Sequence, residues 1–355
     1  MGFTNAERPL RILQIIGSRI FTGAEVSVYN LTEALIQKGQ AVSILCSPDL
    51  APIYQATKAQ IIPAIYKGII GHLNAAVVLA LIRNNYEIIH LHGLSASILR
   101  TLALGPFRSK TIITLHGGET LFLTQRSAGL YQLFIRKCLE FSASHANEIV
   151  VVSSDLARVF SRFSQKLVLV RNGIDVENIR STARRHRREA RAMNDAKKEG
   201  AICLCFPGIL SVDLKGQDIA IRSIASVVKL GLDARLFILG GGSDLDYLQK
   251  LSRQLGIETR VHFFGYLEHG TTLGYMDNAD IVLTHLAGRT YCRGLSQVHL
   301  EAAALSKPII TAFVSDLEEF RDAMYFAADA EEVSSMIMRI AKNREEARAV
   351  GRNGA

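Results

Sequence analysis

The sequence contains no apolar run of the roughly 18 residues that a membrane-spanning helix requires. Its nearest approach, from Leu73 to Ile82, is too short and is interpreted as a buried helix. The N-terminal segment Met1–Pro9 carries no apolar core of a secretory signal, so we expect the chain to stay in the cytoplasm. The sequence therefore favours neither an integral membrane protein nor a secreted one.

Spacings typical of metal ligands are also missing. The five cysteines are not spaced like zinc ligands, and Cys203 and Cys205 alternate within one apolar strand, so that both point to the same face. We interpret them as buried structural thiols, which fits a reducing compartment. We expect neither a metal nor another cofactor.

The glycine fingerprint G-x-G-x-x-G does not follow the first predicted strand, which argues against a dehydrogenase. The loop at that place reads Thr22-Gly23-Ala24-Glu25. Gly23 would allow the backbone to approach a ligand at the start of the next helix. A simple turn explains the same residues equally well, so both interpretations stay open.

Acidic residues are scarce in one segment that carries much of the net charge of +8. Residues 180–199 hold eight basic and three acidic side chains. A solvated surface segment is one interpretation. The other is a patch, Arg180–Lys198, that meets anionic membrane lipids, with each basic residue contributing roughly 1 kcal/mol. No aromatic residues are interleaved there for base stacking, so we expect no binding of nucleic acid.

Apolar strands alternate with helical stretches along the whole chain, which predicts α/β architecture with parallel sheets covered on both faces. A turn-rich break at Arg171–Asp175 divides the pattern into two doubly wound domains, 1–172 and 173–355. Such domains bind ligands at the carboxyl ends of their strands. The predicted strands are 10–16, 41–46, 87–91, 111–115, 149–152, 167–170, 201–206, 235–239, 261–264, 281–284 and 308–311.

Polar or glycine-rich segments follow several of these strands. His116 ends one strand of the first half, where a functional and a structural histidine are both open. Lys215 lies between Gly208 and Gly216, well placed to meet a diphosphate and to neutralise charge on a phosphate leaving group. A surface lysine is the alternative. Gly240 begins a run of three glycines that precedes a helix.

Glu301 lies inside an apolar helix, where a carboxylate needs a partner. A sugar or ribose diol offers two hydroxyl donors to its two oxygens, and a structural pairing is the alternative. The segment that leads into this helix begins with Arg293, Gly294 and Leu295.

In this order the segments resemble the retaining glycosyltransferases of family 4, which have the two-domain GT-B fold. The similarity covers roughly residues 10 to 350. It rests on an ordered set of short motifs, each weak alone: Thr22-Gly23-Ala24-Glu25, Thr114-Leu115-His116-Gly117, Asn172-Gly173-Ile174-Asp175, Lys215-Gly216, Gly265-Tyr266, Ala279-Asp280, Glu301-Ala302-Ala303 and Lys307-Pro308.

The resemblance implies two Rossmann-like domains that face each other across a cleft, with the acceptor on the first and the nucleotide-sugar on the second. It implies transfer of a sugar from a nucleotide diphosphate-sugar to a glycan or lipid-linked acceptor, with retention, in polysaccharide or lipopolysaccharide synthesis. The enzyme would act in the cytoplasm, at the inner face of the membrane. Lys215 would hold the diphosphate and Glu301 the ribose, while Gly23 would lie under the phosphates and His116 beside the sugar.

The sequence departs from the family at defined positions. Arg293 stands where the family has a second glutamate, and Ile209 stands where it has an arginine that binds phosphate. We therefore predict that Arg293 contacts the diphosphate and partly replaces the missing charge, with a surface arginine as the alternative. Family members continue past the position of Ala355 with a helix that crosses to the first domain, and that helix is expected to be lacking here.

Three functions remain open at this point. The first is an active transferase with donor-binding residues Gly23, Gly208, Lys215, Gly240, Arg293, Gly294, Leu295 and Glu301, and with His116 and Lys215 in catalysis. The second is a degenerate GT-B protein that binds a nucleotide-sugar or glycan and transfers little. The third is a sugar-nucleotide epimerase.

Overall fold

The computed structural model describes residues 8–19, 21, 23–65, 68–103, 107–117, 129–287 and 294–354. The chain forms two compact units, which divide between Asn172 and Gly173, except that Gly294 groups with the first unit. Each unit has its own parallel sheet with helices packed on both faces. Both are therefore α/β units of the type that the alternating pattern predicts.

The sheet of the first unit has seven parallel strands in the order β3-β2-β1-β4-β5-β6-β7. Strand β1 pairs with β2 on one side and with β4 on the other, so that Ile12 lies between Val42 and Ile88. The strands are β1 (Arg11–Ile16), β2 (Ala41–Cys46), β3 (Gln60–Pro63), β4 (Ile88–His92), β5 (Lys110–Leu115), β6 (Glu148–Val151) and β7 (Leu167–Leu169).

Helices connect these strands and cover the sheet. Six α-helices are described in this unit: α1 (Gly23–Gln37), α2 (Ala51–Gln55), α3 (Gly68–Ile82), α4 (Gly93–Leu102), α5 (Leu130–His145) and α6 (Ser154–Val159). Helix α6 begins where the Ser153 hydroxyl accepts the Leu156 N–H, which satisfies one of the unpaired donors of a helix start.

The sheet of the second unit has six parallel strands in the order β10-β9-β8-β11-β12-β13. Alternate residues of β8 enter separate cores, since Leu204 and Phe206 pack on one face while Cys203 and Cys205 pack on the other. The strands are β8 (Ile202–Pro207), β9 (Ala234–Leu239), β10 (Val261–Phe263), β11 (Ile281–Leu283), β12 (Ile309–Thr311) and β13 (Tyr325–Phe326).

Nine α-helices belong to the described part of the second unit. Four start with side-chain caps, in which Asp175, Ser296, Asp329 or Asn343 accepts backbone N–H groups of the first turn. The helices are α7 (Val176–His186), α8 (Arg191–Lys198), α9 (Val212–Lys215), α10 (Gln217–Lys229), α11 (Leu245–Gln254), α12 (His269–Asn278), α13 (Gln297–Ala304), α14 (Ala330–Lys342) and α15 (Arg344–Asn353).

Helix α3 corrects the interpretation of Leu73 to Ile82 as a buried helix. Its inner face is buried through Ala75, Ala76 and Leu79, but its outer face is also apolar and open to solvent. Leu81 is 77% exposed there and Ile70 is 84% exposed. The composition could not reveal this, because the helix is apolar all round and hydrophobicity alone predicts burial on every side. In the described ranges, no helix has the length and hydrophobicity to span a bilayer.

The basic segment 180–199 forms two helices, α7 and α8, which lie on the sheet through Ile179, Ala183 and Met193. Part of its charge is used within the unit. Lys197 Nζ lies 2.9 Å from Asp280 Oδ1, and Arg187 Nε donates to Asn278 Oδ1 at 2.8 Å. Four other arginines of the segment point outward and are exposed: Arg184, Arg185, Arg188 and Arg191.

Candidate functional site

The strand order reverses once in each sheet, between β1 and β4 in the first unit and between β8 and β11 in the second. In open α/β sheets, ligands bind at the carboxyl ends of the strands at such a reversal. The segments that the sequence analysis singled out after β1 and β8 therefore lie at the two expected places.

Glycines bring two loops of the second unit into direct contact at this point. Gly208 follows β8 and Gly240 follows β9, and both have positive φ angles, +135° and +146°. A β-carbon at Gly240 would lie 2.0 Å from the Gly208 carbonyl oxygen, and one at Gly242 would lie 2.2 Å from the Leu210 carbonyl oxygen. Only glycine permits this approach, which leaves backbone at the mouth of the site.

Lys215 lies at the end of the short helix α9, beside the Gly208 turn. A β-carbon built on Gly208 would contact Lys215 Cε at 3.7 Å. The chain then turns at Gly216, whose φ is +77° and whose β-carbon would clash with the Ala287 nitrogen. The structure thus brings Gly208, Lys215 and Gly240 together. The predicted lysine loop is itself helical.

His285 is the partner of this lysine and was missed by the sequence analysis. Lys215 Nζ donates to His285 Nε2 at 2.6 Å, and the other ring nitrogen lies 2.7 Å from Thr284 Oγ1. Because an ammonium group can only donate, Nε2 must accept and Nδ1 carries the proton. His285 has a φ of +48°, a conformation that costs a non-glycine residue about 1–2 kcal/mol.

A histidine stack connects this position to the helix of Glu301. The rings of His285 and His299 lie 5.3 Å apart and 15° from parallel. His299 lies in the first turn of α13, where it forms a reciprocal cap with Ser296, and its Nε2 lies 3.1 Å from Thr311 Oγ1. His285 could have been found from the rule applied to His116, since it also follows an apolar strand, whereas His299 lies within a helix.

Glu301 on α13 is buried and has a structural partner. Its Oε1 lies 2.8 Å from His269 Nε2, and the side chains are 5% and 33% exposed. Burial disfavours the charged form of His269, but the hydrogen bond and charge of Glu301, with the charge of Glu268, outweigh it and raise the pKa of His269. The structural pairing that was considered for Glu301 is thus present, and it uses one of the two carboxylate oxygens, Oε1.

The segment before α13 is described only in part. Arg293 lies outside the described residues, so its predicted contact with a diphosphate stays a prediction. Gly294 is half-buried and lies two residues before Ser296, the cap of α13. The Leu295 side chain is 6% exposed and packs in the core, so only its backbone is placed to meet a ligand.

Three histidines meet at the carboxyl ends of β4 and β5 in the first unit. His116 Nε2 lies 3.4 Å from His92 Nδ1, and the His92 ring lies 4.0 Å from that of His90. His90 Nε2 lies 2.7 Å from Thr114 Oγ1. Burial, together with the charge of His116, lowers the pKa of His90 to about 3, and it lowers that of His92 well below its usual value.

Gly23 is exposed at the first position of α1, close to the end of β1. Its carbonyl accepts the Ser27 hydroxyl at 3.1 Å, and that hydroxyl also reaches Asn172 Oδ1 at 3.2 Å. Glu25 is buried one half-turn later and accepts the Ser18 hydroxyl at 2.5 Å. Nearby, a β-carbon at Gly17 would overlap with Ser95, so that loop lies directly against α4.

Comparison with known families agrees with this arrangement. The family description "Glycosyltransferase Family 4" matches residues 21–178, and "Glycosyl transferases group 1" matches residues 187–355. The chain belongs to glycosyltransferase family 4. It is therefore a sugar-transferring enzyme by family, and neither match favours the epimerase.

Individual relatives of the glycosyltransferase are similar to it over most of the chain. It is 26% identical over 310 residues to the phosphatidyl-myo-inositol mannosyltransferase of Mycobacterium tuberculosis, which covers 84% of this chain and 75% of that protein. Anabaena HepE, solved with UDP-glucose, has a TM-score of 0.79 at 16% identity and covers 97% and 93% of the two chains. WaaG, a glycosyltransferase of lipopolysaccharide biosynthesis, has a TM-score of 0.69 at 16% identity, with 97% and 94% covered. These likenesses establish the GT-B fold.

In the second unit of the glycosyltransferase, glycine backbone and the Lys215 ammonium group lie together at a strand-order reversal. The glycine loops pack backbone against backbone beside Lys215, which adds a charge on a flexible stem. This arrangement can bind and stabilise a phosphate group. In the ranges that the structure covers, no three His, Cys, Asp or Glu side chains converge as metal ligands.

Proposed function

We propose that the enzyme moves a sugar from a nucleotide diphosphate-sugar to a glycan or lipid-linked acceptor, with retention, in the synthesis of cell-surface polysaccharide or lipopolysaccharide. The observation that carries the proposal is the convergence of Gly208, Lys215 and Gly240 at the strand-order reversal of the second unit. Such a site fits a diphosphate, which is the leaving group of this reaction. The UDP-glucose in the Anabaena HepE structure supports a nucleotide-sugar as donor.

The residues have separate roles in this proposal. Lys215 neutralises charge on the departing diphosphate, and the Gly208 and Gly240 backbone lies against it. Glu301 accepts the ribose hydroxyls with the carboxylate oxygen that His269 leaves available. Gly23 and His116 follow strands of the first unit. Gly23 lies under the phosphates, and His116 lies beside the sugar and the acceptor. Arg293 adds charge toward the diphosphate in place of the arginine replaced by Ile209.

A Lys215→Met variant tests whether this lysine stabilises the departing diphosphate. Removing one preorganised charge from a leaving group costs on the order of 10²- to 10³-fold in rate. The control is Lys250→Met, which removes an exposed lysine from α11. Transfer is measured by mass spectrometry with a panel of UDP-, GDP- and ADP-sugars. Equal activity of the Lys215 variant and the control would contradict the proposal.

The degenerate alternative, binding with little transfer, is supported by Arg293 and Ile209. Calorimetry separates it from the transferase, because donor binding without turnover across the whole panel is expected for it alone. The anomeric configuration of the product, read by NMR, tests retention. Undiminished transfer after chelation with EDTA is expected, since the proposed charge at the diphosphate comes from Lys215 and not from a metal.

Association with anionic membrane lipid belongs to the same proposal. Two surfaces support it: the exposed apolar face of α3, and the outward arginines of the basic segment 180–199. The curated relative acts, by its name, on a phosphatidylinositol, a lipid. We expect co-sedimentation with phosphatidylglycerol vesicles to weaken in an Ile70→Ser, Leu81→Ser double variant. Leu230→Ser, which removes a 68% exposed leucine elsewhere, is the control.

A further inference from the structure

A chain of hydrogen bonds runs behind His116 into the core of the first unit. His116 Nε2 lies 3.4 Å from His92 Nδ1, and His92 Nε2 lies 3.0 Å from Gln14 Oε1. Gln14 Nε2 then lies 2.7 Å from Thr32 Oγ1. Gln14 and Thr32 are completely buried, and His92 is 7% exposed. Gln14, Thr32 and His92 are therefore shielded from water, and the hydrogen bonds between them decide where their protons lie.

The direction of the chain is set at its buried end. Thr32 Oγ1 lies 2.8 Å from the Val28 carbonyl oxygen, one helical turn earlier in α1. Two oxygens at this distance need a hydrogen between them, and a carbonyl has none to supply. The Thr32 hydroxyl therefore donates to Val28, and its oxygen can only accept from Gln14. This orients the Gln14 amide, with its nitrogen toward Thr32 and its oxygen toward His92.

The orientation of Gln14 decides the proton position on His92. An amide oxygen accepts only, so His92 Nε2 must carry a proton. Burial, with the neighbouring charges of His90 and His116, keeps the pKa of His92 well below its usual value, so the ring is neutral and has one proton. His92 Nδ1 is then an acceptor, and the proton between the two histidines belongs to His116 Nε2.

We propose that Gln14 and His92 are positioning residues that hold the imidazole proton of His116 on Nε2, which leaves the lone pair on Nδ1. Any proton that His116 accepts or releases then passes through Nδ1. The same device, a partner that selects one histidine tautomer, is how histidine bases are oriented in other enzymes. A role of this tautomer in sugar transfer rests on the proposed function, whereas the tautomer itself does not.

Nitrogen-15 NMR of the full chain, labelled in its histidines, tests the tautomer directly at about pH 8. His116 is assigned by comparison with a His116→Gln variant. We expect wild-type His116 to show a protonated Nε2 and an unprotonated Nδ1. A protonated Nδ1 in the wild type would overturn the proposal.

Two variants break the hydrogen-bond network behind His116 at different points. Thr32→Val deletes the hydroxyl with little change of shape, and Gln14→Leu deletes the amide; in both, His116 should become a mixture of tautomers. Thr101→Val is the control, because the Thr101 hydroxyl makes the same bond to the carbonyl four residues earlier, at Ser97, outside the network. An unchanged Nε2 tautomer in Thr32→Val and Gln14→Leu would overturn the proposal.

Kinetics separate this proposal from the proposed function. With a donor and acceptor in hand, kcat should fall on the order of ten-fold or more in Thr32→Val with KM for the donor little changed, as for other partners that orient a histidine. A wild-type chain that shows the Nε2 tautomer and transfers no sugar would contradict the proposed function alone. A change of KM without change of kcat would instead contradict the positioning role.

Discussion

The pairing of His269 with Glu301 makes the stability of the second unit depend on pH in a defined direction. His269→Ala removes the 2.8 Å hydrogen bond from a carboxylate that is 5% exposed. Leaving a buried acceptor without its donor costs about 1–3 kcal/mol. For a unit of this size, roughly 2–4 °C in Tm accompanies each kcal/mol, so the midpoint should fall by about 2–12 °C.

The pH dependence follows from the raised pKa of His269. A histidine whose pKa is higher in the folded state adds stability that is fully present below its unfolded value and disappears as the pH rises through the folded value. The loss caused by His269→Ala should therefore be larger at about pH 5.5 than at about pH 8.5. Urea unfolding of both proteins at the two pH values measures it.

His262→Ala provides a control with the opposite sign. Burial, and secondarily the charge of Arg235, lowers the pKa of His262. The folded state then disfavours protonation, so wild-type His262 reduces stability as the pH falls through its unfolded value. The loss in this variant should be smaller at about pH 5.5 than at about pH 8.5. Equal losses at both pH values for His269→Ala, or the same trend in both variants, would refute the reasoning.

Two further results are expected. Gly240→Ala should lower the free energy of unfolding by more than about 3 kcal/mol, because its β-carbon would overlap with the Gly208 carbonyl at a φ open only to glycine. Gly231→Ala, at φ +89° in open space, should lower it by about 1–2 kcal/mol. Chemical denaturation measures both variants, and equal losses would contradict the reasoning. Burial raises the pKa of the Cys46 and Cys203 thiols to about 12. Both should therefore resist iodoacetamide in the native chain and react once the chain is unfolded. Labelling is read by peptide mass spectrometry, and rapid labelling of either thiol in the native chain would contradict this.

Most strands could be predicted because they are apolar on both faces. Strand β2 is found at the predicted residues, and β1 and β8 begin within one residue of theirs. Two edge strands, β3 and β13, were missed. They are short and partly exposed, so their sequences lack the continuous apolar run that marks a central strand. Their pairing is decided by the neighbouring strand and not by their own composition.

The candidate site was predictable where a residue type follows a strand and not where its partner comes from elsewhere in the chain. Lys215 and Gly208 stand close in sequence, and both could be identified from the loop. His285 lies 70 residues from Lys215, and His269 lies 32 residues from Glu301. Such pairs depend on which strands become neighbours, which no local pattern records.

The sequence by itself determined the class of the protein: two parallel α/β units, with glycines and a lysine after particular strands, in the order found in glycosyltransferase family 4. This was possible because strand periodicity and glycine turns are local properties. Only the tertiary structure decided that α3 exposes an apolar face and that Glu301 is paired with His269. It also decided that a buried threonine directs the proton on His116. These features depend on burial and on contacts between distant segments, which exist only once the sheets have formed.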